Sequence, residues 1–125
     1  VIEPVVISLP APPSTNRLWR AGAGGRIHID PAYASWRRSA GWELVRQKPD
    51  HFPPGAQVAV AVRVGKAKRA KDIDNLPKAL LDLLQTHGVI GNDKLVAKLT
   101  IERDASVPDG RVTVEVREIE EAAAA

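Results

Sequence analysis

Val58-Ala59-Val60-Ala61-Val62-Arg63-Val64 opens the stretch that decides the fold. Every second residue is valine, and a period of two is that of a strand with one buried face. A basic loop follows, and then Leu76 to about His87 has helical spacing. Leu76, Ala79, Leu80, Leu83 and Leu84 form an apolar stripe. Pro77 falls in the first turn, where its missing N–H is tolerated, and Asp74 or Asn75 can cap that end. Gly88 suits the left-handed position that terminates a helix. Lys94 to Arg103 returns to strand spacing, with Leu95, Ala97, Leu99 and Ile101 on one face.

Working outward, Pro4 to Leu9 carries the β-branched run of a strand, ended by Pro10, Pro12 and Pro13. Ala11 to Gly25 reads as loop, and Arg26 to Ile29 as a short strand. Asp30-Pro31 is a helix start, and Tyr33, Trp36, Ala40 and Leu44 give a helix from Pro31 to about Lys48 one apolar face. On the C-terminal side, Val107 to Gly110 is a turn, and Arg111 to Ile119 a strand with Val112, Val114 and Val116 inward. The expectation is an α/β (α+β-like) fold. It has a single mixed sheet of about four strands with two helices packed on it, and the last two strands form an antiparallel hairpin.

The chain has 125 residues, which is one domain's worth, with residues 122–125 read as a frayed tail. It has no cysteine, which excludes a disulfide framework, a Cys-ligated zinc site and thiol catalysis. His28, His51 and His87 show no zinc-ligand spacing. No apolar run approaches the length of a membrane span, and the first nine residues lack the basic start of a secretory signal. Net charge is +3, and its distribution says more than its size. Arg63, Lys66, Lys68, Arg69 and Lys71 form a basic run that switches abruptly to Asp72 and Asp74.

The chemistry is concentrated in Lys71-Asp72-Ile73-Asp74-Asn75-Leu76-Pro77-Lys78. In an extended segment Asp72 and Asp74 point to the same side, and two carboxylates so placed repel unless a cation lies between them. A hard divalent ion such as Mg²⁺ is the usual solution; it takes one or two carboxylates and keeps waters for exchange with phosphate oxygens. Asp93, before the next strand, is a third carboxylate that the helix can return to the same edge of the sheet. Lys78, four residues beyond Asp74, can steady a carboxylate or stabilise charge on a phosphate. Asp82 suits a pair with Lys78 better than a metal. Plain readings exist for each part: Asp74 and Asn75 as caps, Lys78 and Asp82 as a surface pair, Asn92-Asp93 as a turn. An EF-hand beginning at Asp72 is excluded, because Pro77 occupies the position that needs glycine.

The run from Lys71 through Asp82, together with Gly88 and Asn92-Asp93, resembles the RusA-type Holliday junction resolvases. These are endonucleases that cut four-way DNA junctions. Leu9-Pro10-Ala11-Pro12-Pro13-Ser14-Thr15-Asn16-Arg17 is similar to that family's Pro-rich opening. The resemblance implies a homodimer and Mg²⁺-dependent cleavage of branched DNA in recombination and repair, with Mn²⁺ able to substitute. It places the metal on Asp72, Asp74 and Asp93, makes Lys78 the essential lysine, and puts Lys66, Lys68, Arg69 and Lys71 near DNA. A cytoplasmic, nucleoid-associated protein of bacterial or phage origin is the matching expectation. One departure is Asn92, where the family commonly has a second acidic residue beside Asp93; an oxygen is kept and a charge is lost. Two alternatives stand beside this reading: a non-catalytic module that binds branched DNA, and a broader nuclease acting on flaps and forks. Trp19, Trp36 and Trp42 are candidates for core or interface, with Trp36 assigned to the core by its place on the helical stripe.

Overall fold

The computed structural model describes residues 3–13, 19–21, 27–29, 31–66 and 76–119. In chain order these form β1 (Val5–Pro10), β2 (Trp19–Ala21), β3 (Ile27–Ile29), α1 (Pro31–Arg46), β4 (Val58–Val64) and α2 (Pro77–Thr86). A 3-10 turn (Asp93–Leu95), β5 (Val96–Arg103) and β6 (Arg111–Glu118) complete the order. The main sheet has strand order β1-β6-β4-β5, and β2 and β3 form a separate antiparallel ribbon. The mixed sheet with two packed helices is as expected from the residue periodicities. The strand Trp19–Ala21 lies in what the proline and glycine content marks as loop.

Alternation builds the core. The register sets Val5, Val116, Val60 and Leu99 in one row across the sheet, and Ile7, Val114, Val62 and Ile101 in the next. Tyr33, Trp36, Ala40 and Leu44 of α1 and Ala79, Leu80, Leu83 and Leu84 of α2 are buried in the same cluster as these valines. Truncating a fully buried residue such as Leu80 costs about 2–5 kcal/mol. The Trp36 indole donates its Nε1–H to the Pro10 carbonyl at 2.8 Å, so α1 also holds the end of β1. Arg111 ties the same elements together from outside: its Nη2 lies 2.8 Å from Glu43 and 3.0 Å from the Ser8 hydroxyl.

The C-terminal strands correct one expectation. β5 and β6 run in opposite directions, but β4 lies between them, parallel to β5 and antiparallel to β6, so they are not a hairpin. Residues 104–110 step across the end of β4 instead. Asp104 N–H donates to Val64 O, Gly65 N–H to Arg111 O and Gly110 N–H to Lys66 O, all at 2.8–2.9 Å. Gly65 permits this crossing, because a Cβ there would sit 2.2 Å from the Pro108 carbonyl oxygen.

The helix α2 begins one residue later than the capping pattern suggests. Its N-cap is Leu76, with no side-chain cap bond, and Pro77 occupies the first turn as expected. The capping role considered for Asp74 and Asn75 falls outside the described residues. Gly88 has φ +75°, the left-handed conformation required to leave the helix.

Candidate active site

Lys78 is exposed on the first turn of α2. Asp93 is exposed at the other end of the β4–α2–β5 unit, in the 3-10 turn that leads into β5. That turn is firmly placed. Val89 and Ile90 before it are fully buried, and Phe52 N–H donates to Val89 O at 3.0 Å. Gly91 lies so close to the 52–54 loop that a Cβ would meet the Pro54 carbonyl oxygen at 2.3 Å. The Asp93 N–H donates to Gln85 Oε1 at 3.1 Å, and Asn92 Oδ1 accepts the Lys94 N–H at 2.9 Å.

Asn92 therefore performs the turn chemistry, as the cap of the 3-10 turn. Its neighbour's carboxylate is left exposed, and among the described residues no hydrogen bond or ion pair engages it. An anionic oxygen pair held on a fixed backbone and facing solvent fits a hard divalent cation. The described residues contain no group of three His, Asp or Glu side chains able to hold a metal. Asp72 and Asp74, with Lys68, Arg69 and Lys71, lie outside the described residues. Lys66 is exposed just past the end of β4, where its carbonyl accepts the Gly110 N–H.

The connection runs differently from the return to one edge that the sequence suggests. Because β4 and β5 are parallel, α2 carries the chain back along the sheet, and Val58 at the start of β4 pairs with Val96 at the start of β5. Asp93 thus sits at the N-terminal end of the strands. Lys66, leaving β4, and Lys78, opening α2, sit at the other. The ten residues of α2 span about 15 Å.

No ion pair joins Lys78 to Asp82 among the described residues, so the surface-pair reading is not what holds either one. Asp82 instead faces the α1 side: burial first, and then its charge, raise the Tyr33 phenol above its ordinary value, while Arg37 acts against both. The Arg37 guanidinium lies 5.8 Å from the centre of the Tyr33 ring, and Tyr33 stacks on Trp36. Trp36 is in the core as expected, whereas Trp42 is 74% exposed. Gln85 is the site residue that sequence patterns miss. A glutamine in the last turn of a helix carries no signal until the turn it binds is known.

Residues 10–117 match the family described as Endodeoxyribonuclease RusA. The chain belongs to the RusA family. Among its relatives, the crossover junction endodeoxyribonuclease RusA of Aquifex aeolicus is 33% identical over 118 residues, covering 93% of this chain and 90% of the relative. That of Enterobacteria phage HK97 is 32% identical, covering 90% and 92%. That of Escherichia coli K12 is 28% identical, covering 90% and 93%. The matched residues take in both helices, β4, β5 and the Asp93 turn, while of β1 only Pro10 falls within them.

Proposed function

We propose that this RusA chain is a Mg²⁺-dependent endodeoxyribonuclease that acts as a homodimer on four-way DNA junctions. On this reading it cuts them by paired symmetric nicks in recombination and repair. The observation that carries the reading is the Asp93 carboxylate, exposed on a turn pinned by Gln85 and by buried Val89 and Ile90, in a chain whose relatives bear the name crossover junction endodeoxyribonuclease. No helix among the described residues is long and apolar enough to cross a membrane.

Asp72, Asp74 and Asp93 would hold the cation, with Mn²⁺ able to replace Mg²⁺. A divalent ion bound there supplies an acidified water and charge stabilisation at the phosphate. The protein's own groups do the rest. Lys78, exposed at the start of α2, offers a mobile ammonium to the phosphate oxygens as negative charge builds up. Lys66, Lys68, Arg69 and Lys71 neutralise neighbouring phosphates and hold the strand in register. Asn92 holds the turn's shape rather than adding charge. Asp93 lies at the far end of α2 from Lys78, and Asp74 precedes Leu76 by two residues. A site that uses all three aspartates therefore draws them most economically from two protomers. A two-fold dimer also matches the two-fold symmetry of a four-way junction.

The test is cleavage of a labelled four-way junction, beside linear duplex and a flap with the same arms, with and without EDTA. Paired nicks confined to the junction, lost with EDTA and in Asp74→Asn, are expected. Wild-type rates in Asp74→Asn would remove the site assignment, equal cutting of the flap would make the chain a broader nuclease, and binding without cleavage would make it a binding module.

A further inference from the structure

The two edges of the main sheet are treated differently. At β1 the side chain of Gln47 closes the edge: its Oε1 accepts the Ser8 N–H and its Nε2 donates to the Ser8 carbonyl, both at 2.8 Å. An amide so placed occupies the site where another strand would add. Among the described residues no such cover lies on β5. The strand pairs with β4 on one side and, among the described residues, with no strand on the other. Its eight residues contain no proline or glycine, and Ala97, Lys98, Leu99 and Thr100 are all exposed, with Leu99 at 42%. Leu99 ends the row Val5–Val116–Val60–Leu99, so an otherwise buried stripe runs out into solvent at this edge.

We propose that β5 is the seam between two copies of this chain, pairing antiparallel with the β5 of a second protomer about a two-fold axis at Thr100. The proposal rests on the homodimer reading above and says which surface makes the dimer. The argument comes from register. In an antiparallel pair, residues directly opposite share a face, so a symmetric pairing centres on one residue of the strand. Centring on Lys98 or Glu102 sets like charges against each other. Centring on Leu99 faces Lys98 with threonine, and centring on Ile101 faces Leu99 with arginine. Centring on Thr100 places Lys98 opposite the partner's Glu102 and Leu99 opposite the partner's Ile101, each twice. Cross-strand pairs of opposite charge and of apolar side chains are the ones that stabilise a sheet. The apolar row of one protomer then continues into that of the other, and both pairs of helices lie on the same side of an eight-stranded sheet.

The same pairing has a consequence for the site. It sets the start of β5, where Asp93 stands, beside the end of the partner's β5. Because β4 and β5 are parallel, that is also the end at which the partner's β4 runs out at the partner's Lys66.

The chain's lack of cysteine gives a direct test. Directly opposite residues have Cα atoms about 4.5–5.5 Å apart, within disulfide range, whereas diagonal neighbours at about 7–8 Å are beyond it. The Thr100→Cys variant should oxidise to a covalent dimer in full yield, and Leu99→Cys should cross-link poorly. In sedimentation without DNA or metal, Lys98→Glu and Glu102→Lys should each weaken the dimer at least about tenfold, and the double exchange should restore it. Failure of Thr100→Cys to cross-link, or single exchanges that leave the dimer unchanged, would overturn the proposal, as would a dimer lost in Trp42→Ala alone. Junction cleavage by the wild type, measured separately, reports on the nuclease reading whichever way the seam falls.

Discussion

The side-chain oxygen of Gln85 accepts the backbone N–H of Asp93 at 3.1 Å, so the last turn of α2 sets where the carboxylate stands. Gln85 acts by position, through the backbone of Asp93. Gln85→Ala should leave overall stability within about 1 kcal/mol, the net worth of one exposed hydrogen bond. It should raise the Mg²⁺ concentration needed for half-maximal cleavage by about 10-fold, as loss of an outer-shell partner does. Gln85→Glu keeps the acceptor and should recover most of the shift. A Mg²⁺ titration of junction cleavage reads both variants.

Placement of Asp93 and Lys78 at opposite ends of α2 leads to a mixing experiment. Asp74→Asn and Asp93→Asn homodimers should each be inactive. If one site takes Asp74 from one protomer and Asp93 from the other, a heterodimer of the two variants carries both lesions in one site and none in the other. Mixing after subunit exchange should then restore single-strand nicking to about half the wild-type rate per heterodimer, and about a quarter per total dimer in an equal mixture, the statistical expectation for one intact site of two. No recovery on mixing would place all three aspartates within one chain.

Gly91 packs against the 52–54 loop, with a Cβ position 2.3 Å from the Pro54 carbonyl oxygen. The obstacle is backbone, which cannot swing aside as a flexible side chain would. Gly91→Ala should therefore destabilise the fold by about 1–3 kcal/mol, as over-packing does, and should displace the Asn92-Asp93 turn. Denaturant melts check the first, and a raised Mg²⁺ requirement at temperatures where the variant is folded checks the second.

Arg111 holds Glu43 with both oxygens, at 2.8 and 3.3 Å, across β6 and α1. The hydrogen bond from Arg111 is the main cause that lowers the Glu43 carboxyl below its ordinary value of 4.5. A carboxyl depressed in the folded state stabilises it fully above the unfolded value, and that contribution disappears as pH falls through the folded value. The pair is partly exposed, so solvent screening holds its worth to about 0.5 kcal/mol. Glu43→Gln should be less stable than wild type by that amount at pH 7, and the difference should close in acid below pH 4.5. Paired urea titrations at the two pH values measure it.

Much of the fold was legible because the signals are local. Val58–Val64 alternates whatever it pairs with, Leu80, Leu83 and Leu84 form a stripe on any helix, and Gly88 leaves that helix in the left-handed conformation that glycine adopts without strain. The Asn92-Asp93 turn was legible too, because Gly91-Asn92-Asp93 has the composition of a turn. Gln47 and Gln85 were not. Each works by accepting a backbone N–H of another element, 39 residues away for Gln47 and eight for Gln85, and nothing in a polar surface residue announces that partner.

Residue order alone determined both helices, the long strands and the faces that β1, β4, β6, α1 and α2 bury, because those properties depend on periods of two and 3.6. Only the tertiary structure decided that β4 lies between β5 and β6, that α2 separates Lys78 from Asp93, and that β5 is the edge strand of the main sheet among the described residues. Strand neighbours are set by which arrangement buries the apolar faces, and β4, with Val58, Val60, Val62 and Val64 all buried, takes the inner place between β5 and β6.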